Sequence, residues 1–383
     1  VKNGFGIAGR PASETEDNNP ATATISLIKG AKLIVNNHNG MGVGQAAKDP
    51  EGYGIMNIDA TSTFETTQNF LVTANGTMNN AGTVTINGTL TNNGTINFTD
   101  DAATLATTTG GLTINYDLNS DKKVVYVDGV YKVVEKVYVA QIGDVKFESL
   151  QEAVKAVAED ETIVLLGDIT FTTGANGSTN GISYTRGVNF TLDLSGKTIT
   201  SDLGGNALRF KIGDGNDITN TEVTINVKNG KVVSGSNNWC AISAATADNS
   251  GNNLILNLTD LEVEANKAGD FAIKSWAGAV VNTNNVDVIS SYAGGFYACG
   301  GEIVLDENSS VNQEGLHTQP YMSYAFGVSS NGKMTINGGT YSAVPAAATD
   351  ANNQGTSHGS AVGGVMSSGG TLIINGGTFS NDN

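Results

Sequence analysis

The sequence predicts an all-β fold, a right-handed parallel β-helix in two successive modules, and this prediction rests on repetition. Gly-Thr recurs with a strict step of six residues in NGTMNNAGTVTINGTLTNNGTINFTD, at Gly76, Gly82, Gly88 and Gly94. One apolar residue follows each pair, and the segment is almost uncharged. A stacked structure requires such monotony, because each layer presents the same side chain to the next layer.

The composition favours many short strands. Glycine is abundant with 49 residues and proline is scarce with 5, while charged residues make up 15%, against roughly 25% in typical soluble proteins. Glycine mixed with threonine, asparagine and valine indicates strands joined by tight turns rather than disorder. The 383 residues suffice for about two to three ordinary domains or for one long repetitive domain.

The acidic charge balance limits which binding partners are expected. With 20 basic and 37 acidic residues the net charge is −17, which disfavours binding to phosphate backbones and to anionic lipid. We therefore expect no nucleic-acid partner, and the lack of an apolar run of about 18 residues predicts no membrane-spanning segment. Val1 already lies in a repeat-like segment, so we expect the sequence to be part of a longer chain. Any signal peptide or wall anchor would then lie outside it.

Residues 1–118 are predicted to form an N-terminal β-helical module, the end of a preceding solenoid. Within it, we interpret each Gly-Thr unit as a turn followed by the β-branched start of a strand. The segments NGFGIAG from Asn3 and NGMGVGQ from Asn39 follow the same pattern and align 36 residues apart. We expect equivalent segments to stack at about 4.8 Å per layer.

Residues 119–137 interrupt the repeats and are predicted to form a hairpin linker. Alternating strands flank Asp128-Gly129, a dipeptide that is among the strongest short hairpin signals. We place the boundary between the two modules in this segment.

A short helix is predicted directly after the linker, in FESLQEAVKAVAEDETIVLL. Ser149 and Glu152 could form a capping box, and four apolar residues follow helical spacing: Leu150, Ala153, Val154 and Val157. A buried strand is predicted from Ile163 to Leu166. The helix would shield the open end of the second stack, which needs a polar cap.

Residues 138–383 are predicted to form the second β-helix, whose repeats are looser. An alanine followed by an apolar or small residue recurs 26 to 36 residues apart. We predict that the residues after these alanines point inward in one column: Leu208, Ile242, Ile273, Cys299, Phe326 and Val362. An Asx residue recurs in the alternate strand, where it could tolerate a left-handed corner and form a polar ladder: Asp193, Asn226, Asn257, Asn282, Asp306, Asn337 and Asn375.

The repeat length separates this prediction from other repeat architectures. Helical repeats need long segments with a helical period, and propeller blades need four strands in a regular unit of about 40 residues. Here two or three short strands recur with loops of unequal length between them. A parallel β-helix tolerates such loops at its corners while its strands stay in register.

A resemblance to a known family rests on IGDVKFESLQEAVKAVAEDETIVLLGDIT, NFTLDLSGKTIT and the repeated INGGT segments. From about Tyr138 to Asn383 the sequence resembles the pectate-lyase-like right-handed β-helix modules of large bacterial cell-surface, adhesin-like proteins. The segment NGTLTNNGTI is similar to repeats of adhesin-like and autotransporter-like proteins. The resemblance implies this fold and an extracellular, cell-surface location, and it carries over no catalytic residue.

Enzymes of this fold cleave polysaccharides, so catalysis has to be weighed. Lyases need Ca²⁺ held by carboxylates and a lysine or arginine base, and hydrolases need paired carboxylates. The segment RFKIGDGND clusters the candidates Arg209, Lys211, Asp214 and Asp217. We interpret the cluster as a solvated loop beside a turn. Since no carboxylate recurs on neighbouring repeats in a way that would build a cleft, we expect no enzyme and no catalytic residue.

Metal and cofactor sites are not expected either. GDGNDI resembles half of a calcium-binding nonapeptide repeat, but such sites need tandem copies, so a plain turn is preferred over calcium at Asp214 and Asp217. None of the three histidines has a second ligand at zinc spacing: His38, His317 and His358. The only cysteines, Cys240 and Cys299, are predicted to be unlinked core residues, since two repeats separate them by about 9–10 Å.

Three functions from different classes are considered. The first is a non-catalytic surface protein, a rigid stalk or adhesin whose loops attach to glycans or to neighbouring cell-surface proteins. The second is a self-assembling subunit of a surface fibre or S-layer, and the third is a polysaccharide lyase or glycoside hydrolase. We favour the first because the insertions 308–324 and 343–360 are unique, and loops on a rigid scaffold carry recognition. Tyr321 and Tyr324 could stack on sugar rings.

Overall fold

The structure, a computed structural model, describes residues 5–7, 21–35, 41–44, 52–213, 222–235, 239–247, 253–266, 271–290, 294–314, 325–343 and 369–381. Its regular structure is almost all β, in largely parallel sheets, with one α-helix in these ranges. The chain divides into two compact units, Val1–Val137 and Tyr138–Asn383. None of the helical residues described belongs to a helix long and apolar enough to cross a membrane.

In the first unit, each of the first nine strands pairs with the third strand after it. The strands are β1 (Phe5–Ile7), β2 (Ala21–Leu27), β3 (Lys32–Val35), β4 (Met41–Val43), β5 (Gly52–Ile58), β6 (Thr63–Thr66), β7 (Phe70–Val72), β8 (Gly76–Asn80), β9 (Thr83–Ile86), β10 (Leu90–Asn92), β11 (Thr95–Phe98) and β12 (Thr104–Thr107). Three parallel rows result, with the orders β1-β4-β7-β10, β2-β5-β8-β11 and β3-β6-β9-β12. Three strands therefore make one repeat.

The two N-terminal segments align as predicted from their sequences. Phe5 pairs with Met41 and Ile7 with Val43, a separation of 36 residues. The predicted alignment is confirmed at these positions.

In the Gly-Thr segment, each step of six residues forms one strand and the turn before it. Thr77 of β8 pairs with Thr95 of β11, so three steps make one repeat. A β-carbon built on Gly82 would lie 2.3 Å from the carbonyl oxygens of both Asp59 and Ser62 in the preceding repeat. Glycine recurs because the chain turns against its neighbour there. The apolar residue after each Gly-Thr pair is buried: Met78, Val84, Leu90 and Ile96.

A β-hairpin closes the third row of the first unit. Its strands β13 (Lys122–Val127) and β14 (Val130–Glu135) are joined through Asp128 and Gly129, whose φ angles of 51° and 81° fit a type I′ turn. β14 also pairs antiparallel with β12, so the hairpin covers an edge that would otherwise present unpaired backbone groups. The hairpin of the predicted linker 119–137 is thus an integral part of the first unit.

An asparagine ladder runs along the second row of the first unit. The side-chain amide of Asn79 donates to Asn57 Oδ1 at 2.9 Å, and that of Asn97 donates to Asn79 Oδ1 at 2.7 Å. Asn115 continues the ladder with a bond of 3.0 Å to Asn97. Stacked identical amides satisfy each other's donors and acceptors, so this polar column holds successive repeats in register.

The second unit begins with an antiparallel cap and the predicted helix. β15 (Ala140–Ile142) pairs antiparallel with both β16 (Val145–Phe147) and β17 (Glu161–Leu165). The helix α1 spans Leu150–Ala156, and Ser149 Oγ accepts the Glu152 backbone N–H at 3.1 Å. The apolar positions of the predicted helix and strand are buried: Leu150, Ala153, Val154, Val157, Ile163 and Leu165. Helix and strand are confirmed, although Leu166 is exposed.

The later strands of the second unit recur in repeats of three strands, or of two where one long strand takes the place of the first two. They are β18 (Ile169–Phe171), β19 (Ile182–Tyr184), β20 (Phe190–Asp193), β21 (Thr198–Ser201), β22 (Asn206–Ile212), β23 (Glu222–Ser234), β24 (Cys240–Thr246), β25 (Asn253–Ala265), β26 (Phe271–Trp276), β27 (Ala279–Ser290), β28 (Gly294–Cys299), β29 (Glu302–Leu305), β30 (Ser310–Gln313), β31 (Phe326–Ser329), β32 (Gly332–Ile336), β33 (Thr340–Ala343), β34 (Gly370–Ile374) and β35 (Thr378–Asn381). A short 3₁₀ helix spans Ala175–Gly177.

These strands form three parallel rows. The first runs β17-β20-β23-β25-β27-β29-β32-β34 and the second β18-β21-β23-β25-β27-β30-β33-β35. The strands β23, β25 and β27, of 12 to 13 residues, belong to both rows and join them into one sheet. The third row, β19-β22-β24-β26-β28-β31, is a separate sheet.

The predicted inward column is confirmed at four of its six members and is wrong at Cys299. Backbone pairing in the third row forms a buried column of Leu208, Ile242, Ile273, Phe296 and Phe326. Cys299 was predicted here, but it pairs with Trp276 and is only half-buried. The alignment failed because Gly295 precedes Phe296 where alanine was expected, and a β-carbon there would lie 2.3 Å from Ala325 O. Val362 lies outside the described residues.

The predicted Asx column divides into two registers. Asn226, Asn257 and Asn282 form the expected ladder, with amide-to-Oδ1 distances of 2.9 and 3.0 Å. Backbone pairing places the other four predicted residues two positions later, so the single column was wrong. The left-handed corner is formed by different residues, with φ angles of 62°, 50° and 60°: Asn229, Asp260 and Asn285. There Asn285 Nδ2 donates to Asp260 Oδ1 at 2.7 Å.

Because the backbone approaches so closely at Gly82, adding one methyl group there is expected to reduce stability strongly. Gly82→Ala should lower the free energy of unfolding by about 1–3 kcal/mol, because backbone atoms of the preceding repeat must move. Urea denaturation of the purified chain measures the difference. Gly167→Ala is the matched control, since nothing lies within 4 Å of a β-carbon built there. Equal stability of the two variants would contradict the steric argument.

Replacement of Gln313 by an apolar residue is expected to stabilise the fold. It is 1% exposed, and neither polar atom of its side chain has a hydrogen-bond partner within the part of the chain that the structure describes. Gln313→Met keeps a similar length without polar atoms, so the free energy of unfolding should rise by about 1–3 kcal/mol. Calorimetry tests this, with Gln313→Glu as a destabilising control that buries a charge. A methionine variant less stable than the parent would refute the prediction.

Candidate functional site

A groove of about 280 Å³ lies on the third row of the second unit. Side chains from β22, β24 and β26 line it, together with Trp239, which directly precedes β24. We call this feature the β24 groove, because β24 forms its floor.

The groove exists because β24 carries small side chains between two strands with long ones. Ser243 of β24 lies in register between Arg209 of β22 and Lys274 of β26. Two residues further along, Ala245 lies beside Lys211. Adjacent strands are about 4.8 Å apart, so the two flanking strands stand roughly 9–10 Å apart and a channel follows β24 between them.

Both tryptophans of the chain border the β24 groove. Trp239 is 60% exposed at the start of β24, whereas Trp276 is 39% exposed at the end of β26. The register of β24 and β26 therefore puts the two indoles toward opposite ends of the groove. An exposed indole offers a large rigid face with a polar N–H, a combination that is enriched at binding interfaces.

Three cationic side chains line the groove, and none of its described lining residues is acidic. Arg209 Nη1 donates to Ser183 Oγ at 3.1 Å on the neighbouring strand β19. Lys274 is 8% exposed, and its Nζ lies 5.5 Å from the ring centre of Trp276 and 5.7 Å from that of Tyr297. These cation–π contacts position the ammonium group. The described part of the groove lining thus carries three basic side chains in a chain of net charge −17.

Contacts behind the walls hold the groove in shape. Tyr297 stacks on Phe271, with ring centres 4.6 Å apart. On the other side, the Asn206 backbone N–H donates to Asn180 Oδ1 at 2.8 Å, and the Cys240 thiol donates to Asn206 Oδ1 at 2.8 Å. Ring stacking on one side of the groove and hydrogen bonds on the other therefore hold the strands that carry the lining residues.

The two cysteines occupy different environments. Neither forms a disulfide, and they lie on β24 and β28 with β26 between them. Cys240 is 3% exposed and lines the groove. Cys299 is half-buried, with its Sγ 3.6 Å from Ser329 Oγ. The prediction that both are core residues is wrong for Cys299, because its side chain lies outside the buried column.

The basic half of the cluster predicted as a solvated loop lies in a strand. Arg209 and Lys211 belong to β22, where pairing with β24 fixes them at the groove, so the loop interpretation is wrong for both. The other half, Asp214 and Asp217, lies outside the described residues. The same holds for the remaining candidates: His38, His317, His358, Tyr321 and Tyr324. Within the described ranges, no group of three His, Cys, Asp or Glu residues could hold a metal ion.

One pair of carboxylates lies in register on neighbouring repeats, away from the groove. Glu262 of β25 pairs in register with Asp287 of β27. Lys231 Nζ lies 2.7 Å from Glu262 Oε1 and 2.8 Å from Glu264 Oε2. Hydrogen bonding from Lys231 lowers the pKa of Glu264, whereas a general acid needs a raised pKa. These carboxylates are on the first two rows and do not line the groove.

The tryptophans are the residues that sequence reasoning missed. The signal was present, because NWCAISA and FAIKSW place each indole at the end of an alanine-bearing repeat segment. Two tryptophans in 383 residues, both beside equivalent segments, predict a shared surface once those segments are assigned to neighbouring strands. The sequence alone does not assign them to neighbouring strands, because loops of unequal length separate these segments.

No protein-family model, curated protein or solved structure matches the chain. The assignment of a function therefore depends on the geometry and chemistry of the β24 groove.

The different exposure of the thiols predicts different reactivity. Under native conditions iodoacetamide should modify Cys299 well before Cys240, because only Cys299 is accessible without opening a wall of the groove. Peptide mass spectrometry after timed labelling measures both rates, and labelling in denaturant should add two groups per chain. Faster labelling of Cys240 would contradict its placement, and Cys299→Ser confirms the assignment of the first labelled site.

Proposed function

We propose that the chain is a non-catalytic, extracellular surface protein in which right-handed parallel β-helices support attachment to glycans. The solenoid is supported by the pairing of each strand with its counterpart in the next repeat. Parallel crossovers are right-handed in about 98% of cases, which supports the hand. A continuous hydrogen-bonded stack is stiff, as a stalk or adhesin requires.

The observation that carries the glycan proposal is that both tryptophans of the chain stand exposed at one groove. A sugar ring has an apolar C–H face, which packs on an indole, and a rim of hydroxyl groups. Ser243, Thr246 and Asn206 supply hydroxyl and amide groups along the same groove. A pocket with aromatic faces and a few polar groups is the usual form of a small-ligand site.

A hydrolase receives no support from the described lining of the groove. Glycoside hydrolases use two carboxyl groups on either side of the scissile bond, and the described lining of the groove has none. A polysaccharide lyase is the second candidate, because Arg209 and Lys211 are bases of the type that lyases use. Binding and turnover therefore have to be measured together.

The test is a binding and product assay with a panel of plant and host polysaccharides, with and without added calcium. We expect binding without release of reducing ends or unsaturated products. Trp239→Ala and Trp276→Ala should each weaken binding about tenfold, as expected for an aromatic anchor. Tyr53→Ala, which removes a partly exposed ring in the first unit, is the matched control and should leave binding unchanged.

Two outcomes would reject the proposal. Product formation that is lost on Arg209→Ala would make the chain a lyase. Concentration-dependent filaments without glycan binding would favour a self-assembling surface subunit.

A further inference from the structure

We propose that copies of this chain join end to end, with β34 and β35 of one copy pairing in parallel with β2 and β3 of the next. The partner at this surface is therefore a second copy of the chain. The inference concerns the ends of the two stacks, so it goes beyond the proposed attachment to glycans and does not depend on it.

Antiparallel structure covers only one end of each unit within the described ranges. The hairpin of β13 and β14 lies against the last repeat of the first unit, and β15 with β16 lies against the first repeat of the second unit. At the opposite ends, β2 and β3 each pair with one later strand, and β34 and β35 each pair with one earlier strand. Strand edges of this kind are templates for the addition of another strand.

The buried columns end at these edges with partly exposed members. Ile336 is 0% exposed, whereas Ile374, which pairs with it in the last repeat, is 45% exposed. At the other end, Ile25 is half-buried, whereas its partner Met56 in the next repeat is 0% exposed. One further repeat at either edge would remove this apolar surface from water, which is favourable.

Exposed isoleucines are concentrated at the same two ends. Among the described residues, four isoleucines are classed as exposed, and all of them belong to the first or the last repeat: Ile28, Ile34, Ile373 and Ile374. Apolar residues scattered singly over a surface need no explanation, but a concentration of them marks a contact site. Here the concentration coincides with the unpaired strand edges.

Strand direction decides which ends can meet. The pairing of β2, β3, β34 and β35 with their counterparts is parallel. The first unit lacks a described repeat before β2 and β3, whereas the second unit lacks one after β34 and β35. The last repeat of one copy can therefore serve as the preceding repeat of another. Such a contact joins two different surfaces, so it produces a ring or an open series of copies rather than a two-fold dimer.

Sedimentation equilibrium of the whole chain tests the inference. We expect the mean mass to rise above the 39.4 kDa of one chain as the concentration increases, over a range of about 1 μM to 1 mM that covers weak and moderate affinities. Ile374→Lys places an inward-pointing charge on the β34 edge, and Ile25→Lys does so on the β2 edge. Because such charges block strand addition, each should raise the dissociation constant at least about tenfold.

A matched control separates this contact from general apolar association. Val145 is 60% exposed on β16, at the covered end of the second unit. Val145→Lys makes the same kind of substitution there and should leave the association unchanged. Far-ultraviolet circular dichroism and the unfolding temperature show whether each variant keeps its fold. If Ile25→Lys does not, Ile34→Lys replaces it, because the Ile34 side chain is 48% exposed on β3.

A mixture of the two end variants tests the direction of the contact. Ile374→Lys keeps an unmodified β2 edge, and Ile25→Lys keeps an unmodified β34 edge. At concentrations where the parent associates, each variant alone should therefore remain monomeric. An equimolar mixture should form dimers and nothing larger, because one pair of compatible ends remains.

Three outcomes would overturn the inference. A parent mass that stays constant over the whole range would show that the ends are covered within one chain. Dimers of either end variant alone would show that like ends pair. Weaker association of Val145→Lys, to the same degree as the end variants, would place the contact elsewhere. None of these outcomes affects glycan attachment, which the polysaccharide panel measures separately.

Discussion

Parallel backbone hydrogen bonding between equivalent positions of successive repeats is the constraint on which the rest of this structure depends. Each strand lies about 4.8 Å from its counterpart, so any residue must coexist with the residues directly above and below it. Aliphatic residues meet this demand by forming buried columns. Asparagine meets it on the outer face, because the amide of Asn79 donates to Asn57 and its Oδ1 accepts from Asn97. Repetition in the sequence is the consequence.

The same constraint explains where small residues are required. At Gly82 the turn approaches the preceding repeat so closely that no β-carbon fits, and at Gly295 an inserted β-carbon would meet the Ala325 carbonyl. The recurrent glycine of the first unit and the alanine or glycine of the third row thus have one cause. In both places backbone approaches backbone, and side-chain volume is excluded.

Open ends and edges are the weak points of such a stack, and both units cover one with antiparallel structure. The hairpin of β13 and β14 covers β12, and β15 with β16 covers β17. The β24 groove has a different origin, because it arises where one strand of the stack carries smaller side chains than its two neighbours. Ser243 and Ala245 are short where Arg209 and Lys274 beside them are long, so a change of residue volume in one strand opens a channel without any change of backbone.

The sequence by itself determined the elements whose signals are local. The Asp128-Gly129 turn, the Ser149 cap and the buried face of α1 follow from dihedral preference, capping and periodicity within a few residues. The step of six likewise located each short strand and its turn in the first unit, whereas the structure showed that every third step shares a column. Only the tertiary structure decided the register of the looser repeats. Loops of unequal length separate these repeats, so the number of residues between two segments does not show which of their residues pair. Cys299 was misplaced by three residues and the Asx column by two for this reason. The groove was decided at the same level, since Arg209, Ser243 and Lys274 are more than thirty residues apart from one another and meet only through that register.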